Sequence, residues 1–146
     1  MFLLDSDHLS LIQRHRGDAY DRLAARLQKV PESELFIPII AFHERINGWN
    51  AFIAKATTEN EVIFAYSKFQ ETLADFADVQ LVEYSEAASI VFQNFRKQRL
   101  RIGTMDLRIA SIAIACRLTL LTGNTIDFER VPGLLYEDWT TVSEKE

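Results

Sequence analysis

The 146-residue sequence contains only one cysteine, three prolines and five glycines. The single cysteine, Cys116, cannot form an internal disulfide, so we expect a protein of the reducing cytoplasm. Few glycines and prolines favour regular helices and strands with short connections. The longest nearly uncharged apolar run, 109–116, is too short to span a bilayer, and the apolar N-terminus reaches Asp5 too soon for a signal peptide. We therefore expect no membrane segment.

Common nucleotide-binding motifs are also absent. The chain has neither G-x-G-x-x-G nor the G-K-[ST] of a phosphate-binding loop, which argues against a nucleotide cofactor. A net charge of −5 argues against bulk electrostatic binding to duplex nucleic acid, although a local basic track is compatible with it. An acidic surface equally suits a basic protein partner. Composition alone does not choose between these partners.

What the sequence does contain is an alternation of short apolar runs with helical patterns. Its length and 48% hydrophobic content predict one domain over 1–146 with an ample core. Runs typical of buried strands cover 1–4, 35–40, 79–82, 119–121 and 134–136. Between them, helices are predicted to begin near Ser6, Asp18, Thr58, Ser85 and Thr104, with capping residues at several of these starts. This order predicts a three-layer α/β/α sandwich with a short, mostly parallel central sheet.

The most regular helical pattern follows Thr58. Val62, Tyr66, Phe69, Leu73 and Phe76 are spaced four, three, four and three residues apart. This spacing predicts an amphipathic helix whose apolar side faces mainly the core. The excess of aromatic residues leaves room for an interface on the same helix.

Oxygen-bearing side chains stand where the predicted strands end. Asp5 follows the first strand, Glu44 lies in the predicted first turn after the second, Asp106 lies one turn into a very apolar helix, and Asn124 and Asp127 follow the fourth strand. Parallel strands deliver such residues to one edge of the sheet, where ligands bind. Each position also has a purely structural interpretation, as a helix cap, a partner of the helix dipole or a turn residue.

Taken together, these positions favour a metal site. Three converging carboxylates cannot all stay ionised without a cation. Oxygen ligands without a His/Cys cluster select Mg²⁺ or Mn²⁺ over Zn²⁺. Ions of this kind typically serve phosphoryl chemistry, so the sequence points to a polynucleotide phosphodiester as substrate.

Four sequence blocks resemble the PIN-domain ribonucleases and, within them, the VapC toxins of bacterial toxin–antitoxin pairs. They are FLLDSDHLS, HERINGW, IGTMDLRIA and TGNTIDFERVPGL, and the resemblance covers nearly the whole chain. Two positions depart from the family pattern. Asp7 replaces a common Asn, where it is either an extra contact to the site or an acid at a helix N-terminus. Asn124 stands where many relatives carry Asp, so the fourth acid is either absent or supplied by Asp127.

The resemblance implies an Mg²⁺- or Mn²⁺-dependent endoribonuclease. The implied metal ligands are Asp5, Glu44 and Asp106. Asp127 is expected as the fourth catalytic residue, with Asn124 as the alternative at this position. Ser6, Thr104 and Asn124 are expected to support the acids without binding the metal. No side-chain nucleophile is required, and the three histidines, including His8, have no partner visible in the sequence.

The resemblance also implies an RNA substrate, for which tRNA is common among relatives, a cognate antitoxin and a toxin homodimer. Arg96, Lys97, Arg99 and Arg101 are candidates for contacts to RNA phosphates. Cations at the end of a helix also interact favourably with its dipole, which is the competing explanation. The alternative function is a catalytically inactive PIN-like module that only binds RNA or protein.

Overall fold

The computed structural model describes residues 1–142, so the last four residues of the predicted domain, 143–146, lie outside the described residues. Five strands form one sheet in the order β3-β2-β1-β4-β5. They are β1 (Phe2–Leu4), β2 (Leu35–Pro38), β3 (Leu81–Val82), β4 (Thr119–Leu121) and β5 (Tyr136–Glu137). All four neighbouring pairs are parallel, so the sheet predicted to be mostly parallel is parallel throughout the described part of the chain.

Seven helices within residues 1–142 connect and flank these strands. They are α1 (Ser6–Arg14), α2 (Asp18–Leu27), α3 (Ile39–Ala54), α4 (Glu59–Ala77), α5 (Glu86–Lys97), α6 (Thr104–Cys116) and α7 (Thr125–Phe128). A 3₁₀ turn at Glu32–Glu34 precedes β2.

Both faces of the sheet are covered. Leu3 and Leu120 belong to a core cluster built mainly with α5 and α6, whereas Leu4 and Leu121 belong to a second cluster with α1, α2 and α4. Successive strand residues point to opposite faces, so each short strand contributes to both clusters. This arrangement confirms the predicted three-layer sandwich.

The N-cap residues in the structure agree only in part with those predicted from the sequence. Thr58 caps α4 as predicted, accepting a hydrogen bond at Oγ1 from the Glu61 amide at 3.2 Å. At α1 the cap is Asp5 rather than Ser6, and at α6 it is Gly103 rather than Thr104. In both of these helices the predicted capping residue is instead the first helical residue.

The second strand is shorter than predicted. It ends at Pro38 rather than at residue 40, because its neighbour β3 has only two residues and the pairing stops at Pro38 and Val82. Helix α3 therefore begins at Ile39. As a result, Glu44 lies in the second turn of this helix and not in the first.

The apolar stripe predicted for α4 is only partly in the core. Phe76 is 5% exposed, but Tyr66 is 62% and Leu73 is 64% exposed. The buried positions are Ala65, Thr72 and Phe76, on the side that meets α3. Helix α4 packs mainly against α3 along one side, which leaves the rest of the stripe on the surface.

His8, which has no partner visible in the sequence, has one in the structure. It is fully buried in α1, and its Nε2 accepts a hydrogen bond from the Trp139 amide at 3.3 Å. Its Nδ1 has no partner within the described residues. Burial lowers the pKa of His8, while Asp138, 3.9 Å from Nε2, and Asp7 act in the opposite direction. A neutral His8 thus joins α1 to the segment after β5.

We expect the fold to lose stability as the pH falls through about 6.5, the ordinary pKa of histidine, because the unfolded chain takes up a proton that buried His8 resists. His8→Gln keeps an acceptor but does not titrate. The difference in unfolding free energy between the parent and this variant should therefore be largest at pH 7 and shrink towards pH 5, as measured by urea denaturation. Exposed His15→Gln is the matched control. A difference that stays constant with pH would contradict the role of His8.

Candidate metal centre

Asp5 is the most enclosed acid of the sheet edge. It directly follows β1, and its amide donates to the Leu121 carbonyl of β4 at 2.9 Å. Its Oδ1 accepts from the Ser6 amide at 2.6 Å, and its Oδ2 accepts from the Thr122 hydroxyl at 2.8 Å. The residue is 4% exposed. Asp5 therefore caps α1 and faces the sheet edge at the same time.

Glu44 reaches the same place from α3. Its Oε1 accepts a hydrogen bond from the Ser6 hydroxyl at 3.1 Å. Ser6 thus contacts Asp5 through its amide and Glu44 through its side chain, which connects the two acids. One turn further along α3, a Cβ on Gly48 would meet nothing within 4 Å, so the space beside this turn is open.

Asp106 is the third acid and lies in the first turn of α6. Apart from Arg108, the helix beyond Asp106 is mostly apolar and largely buried, and this carboxylate lies at the end where the helix dipole favours it. Carboxylate oxygens of Asp5, Glu44 and Asp106 all lie within 4.8 Å of one another. Three oxygens at this spacing fit a hard divalent cation, which takes oxygen ligands.

Burial is the main influence on the protonation of Asp5. It raises the pKa of this carboxyl from 3.8 to about 7, although the hydrogen bonds from Thr122 and Ser6 act against the shift. The negative charges of Asp7 and Asp106 raise it further. In the protein without a cation, Asp5 therefore holds its proton close to neutral pH.

The other two acids are shifted in the same direction. Burial raises the pKa of Glu44, with the Ser6 hydrogen bond opposing it and Asp106 and Asp7 adding to it. Burial also raises the pKa of Asp106, and Asp127 and Asp7 add to that shift. Asp7 therefore acts electrostatically on all three acids. A cation that binds here would offset the repulsion that these shifts reflect.

Asp127 stands outside this group of three. Its Oδ2 accepts from the Asn124 side-chain amide at 2.9 Å and its Oδ1 from Arg130 Nη1 at 3.2 Å. Both oxygens are thus engaged within its own loop and the short helix α7. Its charge still reaches Asp106, whose pKa it raises.

The remaining predicted site residues lie along the end of α5 and the start of α6. Arg96 and Lys97 occupy the last turn of α5, Arg99 and Arg101 follow it, and all four are exposed. Arg96, Arg99 and Thr104 help to line a cavity of about 370 Å³. Thr104 is the first residue of α6, two residues before Asp106, and lies on the wall of this cavity.

Thr122 contacts Asp5, and the sequence alone does not predict this contact. The sequence identifies Thr122 only as one hydroxyl in the loop after the fourth strand. In the structure it is fully buried, donates to Asp5 and accepts from the Asn124 amide at 3.0 Å. The available signal was its position, since it directly follows β4, the strand beside β1.

Comparisons with known proteins find relatives of this chain. The chain is 30% identical over 132 residues to Ribonuclease VapC1 of Rickettsia felis, covering 90% of this chain and 82% of that protein. It is 35% identical over 65 residues to Ribonuclease VapC2 of the same organism, a match that spans about half of that relative, 48% of its length. No protein-family model matches the chain.

Among solved structures, the fold is similar to one chain of VapBC2 from Rickettsia felis, bound to a DNA fragment from its promoter. The TM-score is 0.65 at 26% identity, covering 94% of this chain and 98% of that one. Within residues 1–142, no helix is both long and apolar enough to cross a membrane.

We expect the metal-free protein to lose stability as the pH rises from about 4 to about 7. The unfolded chain ionises Asp5 near 3.8, whereas the folded state keeps it protonated up to about 7. Asp5→Asn should remove this part of the pH dependence. Mn²⁺ at pH 8 should raise the melting temperature of the parent far more than that of the variant.

The measurement is calorimetric melting from pH 4 to pH 8, with EDTA or with Mn²⁺. Only the difference between the parent and Asp5→Asn is read, because His8 contributes equally to both. Exposed Asp18→Asn is the control and should behave as the parent. Identical pH slopes for the parent and Asp5→Asn would contradict the assigned shift.

Thr122 should matter for metal binding through its hydrogen bond to Asp5. We expect Thr122→Val to weaken Mn²⁺ binding by about 10- to 100-fold, the usual effect of losing a group that orients a metal ligand. Thr122→Ser keeps the hydroxyl and should bind within a few-fold of the parent. Isothermal titration calorimetry at pH 8 distinguishes them, and equal affinity of the Val and Ser variants would exclude this role.

Proposed function

Because the chain belongs to the family of VapC ribonucleases, we propose that it is a metal-dependent endoribonuclease that acts as the toxin of a toxin–antitoxin pair. The observation that carries this proposal is the convergence of Asp5, Glu44 and Asp106 at one sheet edge, with oxygens within 4.8 Å. All three acids are present, which favours an enzyme over a catalytically inactive PIN-like module that only binds RNA or protein.

Three carboxylate oxygens are the kind of ligands that Mg²⁺ or Mn²⁺ prefers, and Asp5, Glu44 and Asp106 would hold the ion. When bound, such an ion polarises a phosphodiester and lowers the pKa of water. The chain itself supplies the orientation of the ligands. Ser6 fixes Asp5 and Glu44 relative to each other, and Thr122 fixes the second oxygen of Asp5.

We propose that Asp127 takes part in catalysis through a water molecule and not as a direct metal ligand. The hydrogen bonds from Asn124 and Arg130 support this, because they hold its carboxylate in place outside the group of three. Asn124 then orients Asp127. Asp7, exposed in the first turn of α1, adds negative charge that strengthens the attraction of the site for a cation.

The proposed substrate is RNA, with tRNA as one candidate. Four exposed basic residues support binding to its phosphates, and they lie just before the helix that carries Asp106: Arg96, Lys97, Arg99 and Arg101. Since the rest of the chain is acidic, this track is a local site of positive charge on a protein of net charge −5. Because the substrate is RNA, we propose that the protein acts in the cytoplasm.

We further propose a cognate antitoxin that covers the metal centre, and a homodimer of this chain. The net charge of −5 agrees with a basic partner. The exposed apolar residues of α4, Ile63, Tyr66 and Leu73, provide surface for a protein contact of this kind.

The direct test incubates purified protein with RNA, with and without Mn²⁺. We expect cleavage that needs the ion and that falls by about a hundredfold or more in Asp5→Asn and Glu44→Gln, since each removes a ligand. Exposed Asp18→Asn should cleave as the parent does. Equal cleavage by Asp5→Asn would refute the mechanism, and no cleavage of any RNA would favour the binding module.

A further inference from the structure

A surface of aromatic and basic side chains is formed by α5, α6 and the segment before α5, separate from the acids. The rings of Tyr84 and Phe92 meet edge to face, with centroids 6.3 Å apart and an interplanar angle of 84°. The Arg108 guanidinium lies 5.4 Å from the Phe92 centroid and 6.0 Å from that of Tyr84. The Arg96 guanidinium lies 5.5 Å from Phe92. Both cations therefore contact Phe92, and Arg108 also contacts Tyr84.

These two arginines have no acidic partner in the part of the chain that the structure describes. The ion pairs among residues 1–142 involve other cations, namely His8, Arg45, Lys68 and Arg130. Arg108 is half-buried, and Arg96 is exposed. Aromatic faces attract a guanidinium without neutralising its charge. Both arginines therefore remain available to an anionic group.

The position of this surface connects it with the metal centre. Arg108 follows Asp106 by two residues, about 200° around α6, so Asp106 faces the other acids while Arg108 faces α5. Arg96 also lines the 370 Å³ cavity, together with Arg99 and Thr104 at the start of α6. Arg96 therefore joins Phe92 to this cavity, and Thr104 on the cavity wall is two residues from Asp106.

We propose that Tyr84, Phe92, Arg96 and Arg108 form a subsite for single-stranded RNA. An unpaired base stacks against the Phe92–Arg108 pair, and the neighbouring phosphates bind Arg96 and Arg99. Single strands expose the faces of their bases to aromatic and guanidinium planes, whereas a duplex hides them. This inference rests on the proposed function and adds to it a base-stacking subsite outside the metal centre.

The charges favour RNA over a protein on this surface. Phosphates are attracted to a basic track on an otherwise acidic chain, and the cavity beside Arg99 continues that track towards the acids. Glu83 and Glu86 flank Tyr84 in the chain and would repel phosphate there. The RNA therefore runs from Phe92 towards α6 and not beyond Tyr84.

The test measures RNA binding without cleavage, in an Asp5→Asn background with Mn²⁺ present. The probe is a fluorescent 12-nucleotide single-stranded RNA, followed by anisotropy. Adding Phe92→Leu and Arg108→Gln should weaken binding by about tenfold or more, since a stacked base contributes strongly. The salt dependence is the slope of log affinity against log salt concentration. Each arginine removed, first Arg108 and then Arg96 by adding Arg96→Gln, should make this slope shallower by about 0.7.

The matched control carries Phe69→Leu on α4 and Arg117→Gln at the far end of α6, and it should bind as the background does. Phe92→Tyr keeps a stacking ring and should restore most of the affinity, which separates stacking from misfolding. Melting temperatures of all variants are compared. A 12-base-pair RNA duplex should bind more weakly than the single strand and should lose little affinity in Phe92→Leu.

Several results would overturn the subsite. They are no binding of single-stranded RNA by the background protein, unchanged binding by the double variant, or equal losses for single strand and duplex. If RNA binding is unchanged but self-association or antitoxin binding is lost, the surface docks a protein instead. The proposed function fails separately, when the parent cleaves no RNA. The subsite then still stands if the variants lose single-strand binding.

Discussion

The burial of one carboxylate, that of Asp5, is the constraint on which the rest of the sheet edge depends. A shift of its pKa from 3.8 to about 7 corresponds to a free-energy cost on the order of 4 kcal/mol for the ionised form. Two donors, the Ser6 amide and the Thr122 hydroxyl, limit this cost without removing it. Without a cation, Asp5 therefore keeps its proton up to about neutral pH, and a bound cation would supply the compensation that lets it ionise.

The order of the strands explains how three elements can meet at this carboxylate. β1 lies in the middle of the sheet between β2 and β4, so Asp5 has the start of α3 on one side and the loop after β4 on the other. Asp106 comes from α6, and hydrogen bonds outside the metal centre hold the start of this helix in place. Arg130 donates to the Arg101 carbonyl at 2.6 Å and to Asp127 at 3.2 Å, which ties α7 to the loop that leads into α6.

The features that could be predicted are those determined by local pattern. Apolar runs between helical patterns were enough for a parallel sheet, and its geometry was enough to bring Asp5, Glu44 and Asp106 to one edge. The hydrogen bond between Thr122 and Asp5 spans 117 residues and depends on which strands become neighbours, so local sequence does not contain it. The exposure of Tyr66 likewise depends on α4 having few neighbours, and not on its apolar spacing.

Helix α1 connects stability with function because it carries two buried ionisable groups with opposite requirements. At its N-terminus, burial favours the protonated form of Asp5, so low pH stabilises the fold through this group. Three residues later, burial favours the neutral form of His8, so high pH stabilises the fold through that group. Between about pH 4 and 7, a change of pH that stabilises the fold through one group destabilises it through the other. A cation at the three acids removes the preference of Asp5 for its protonated form and leaves only the preference of His8 for its neutral form. The metal-bound protein should therefore be most stable at neutral to basic pH, where a metal-dependent site is also fully ionised.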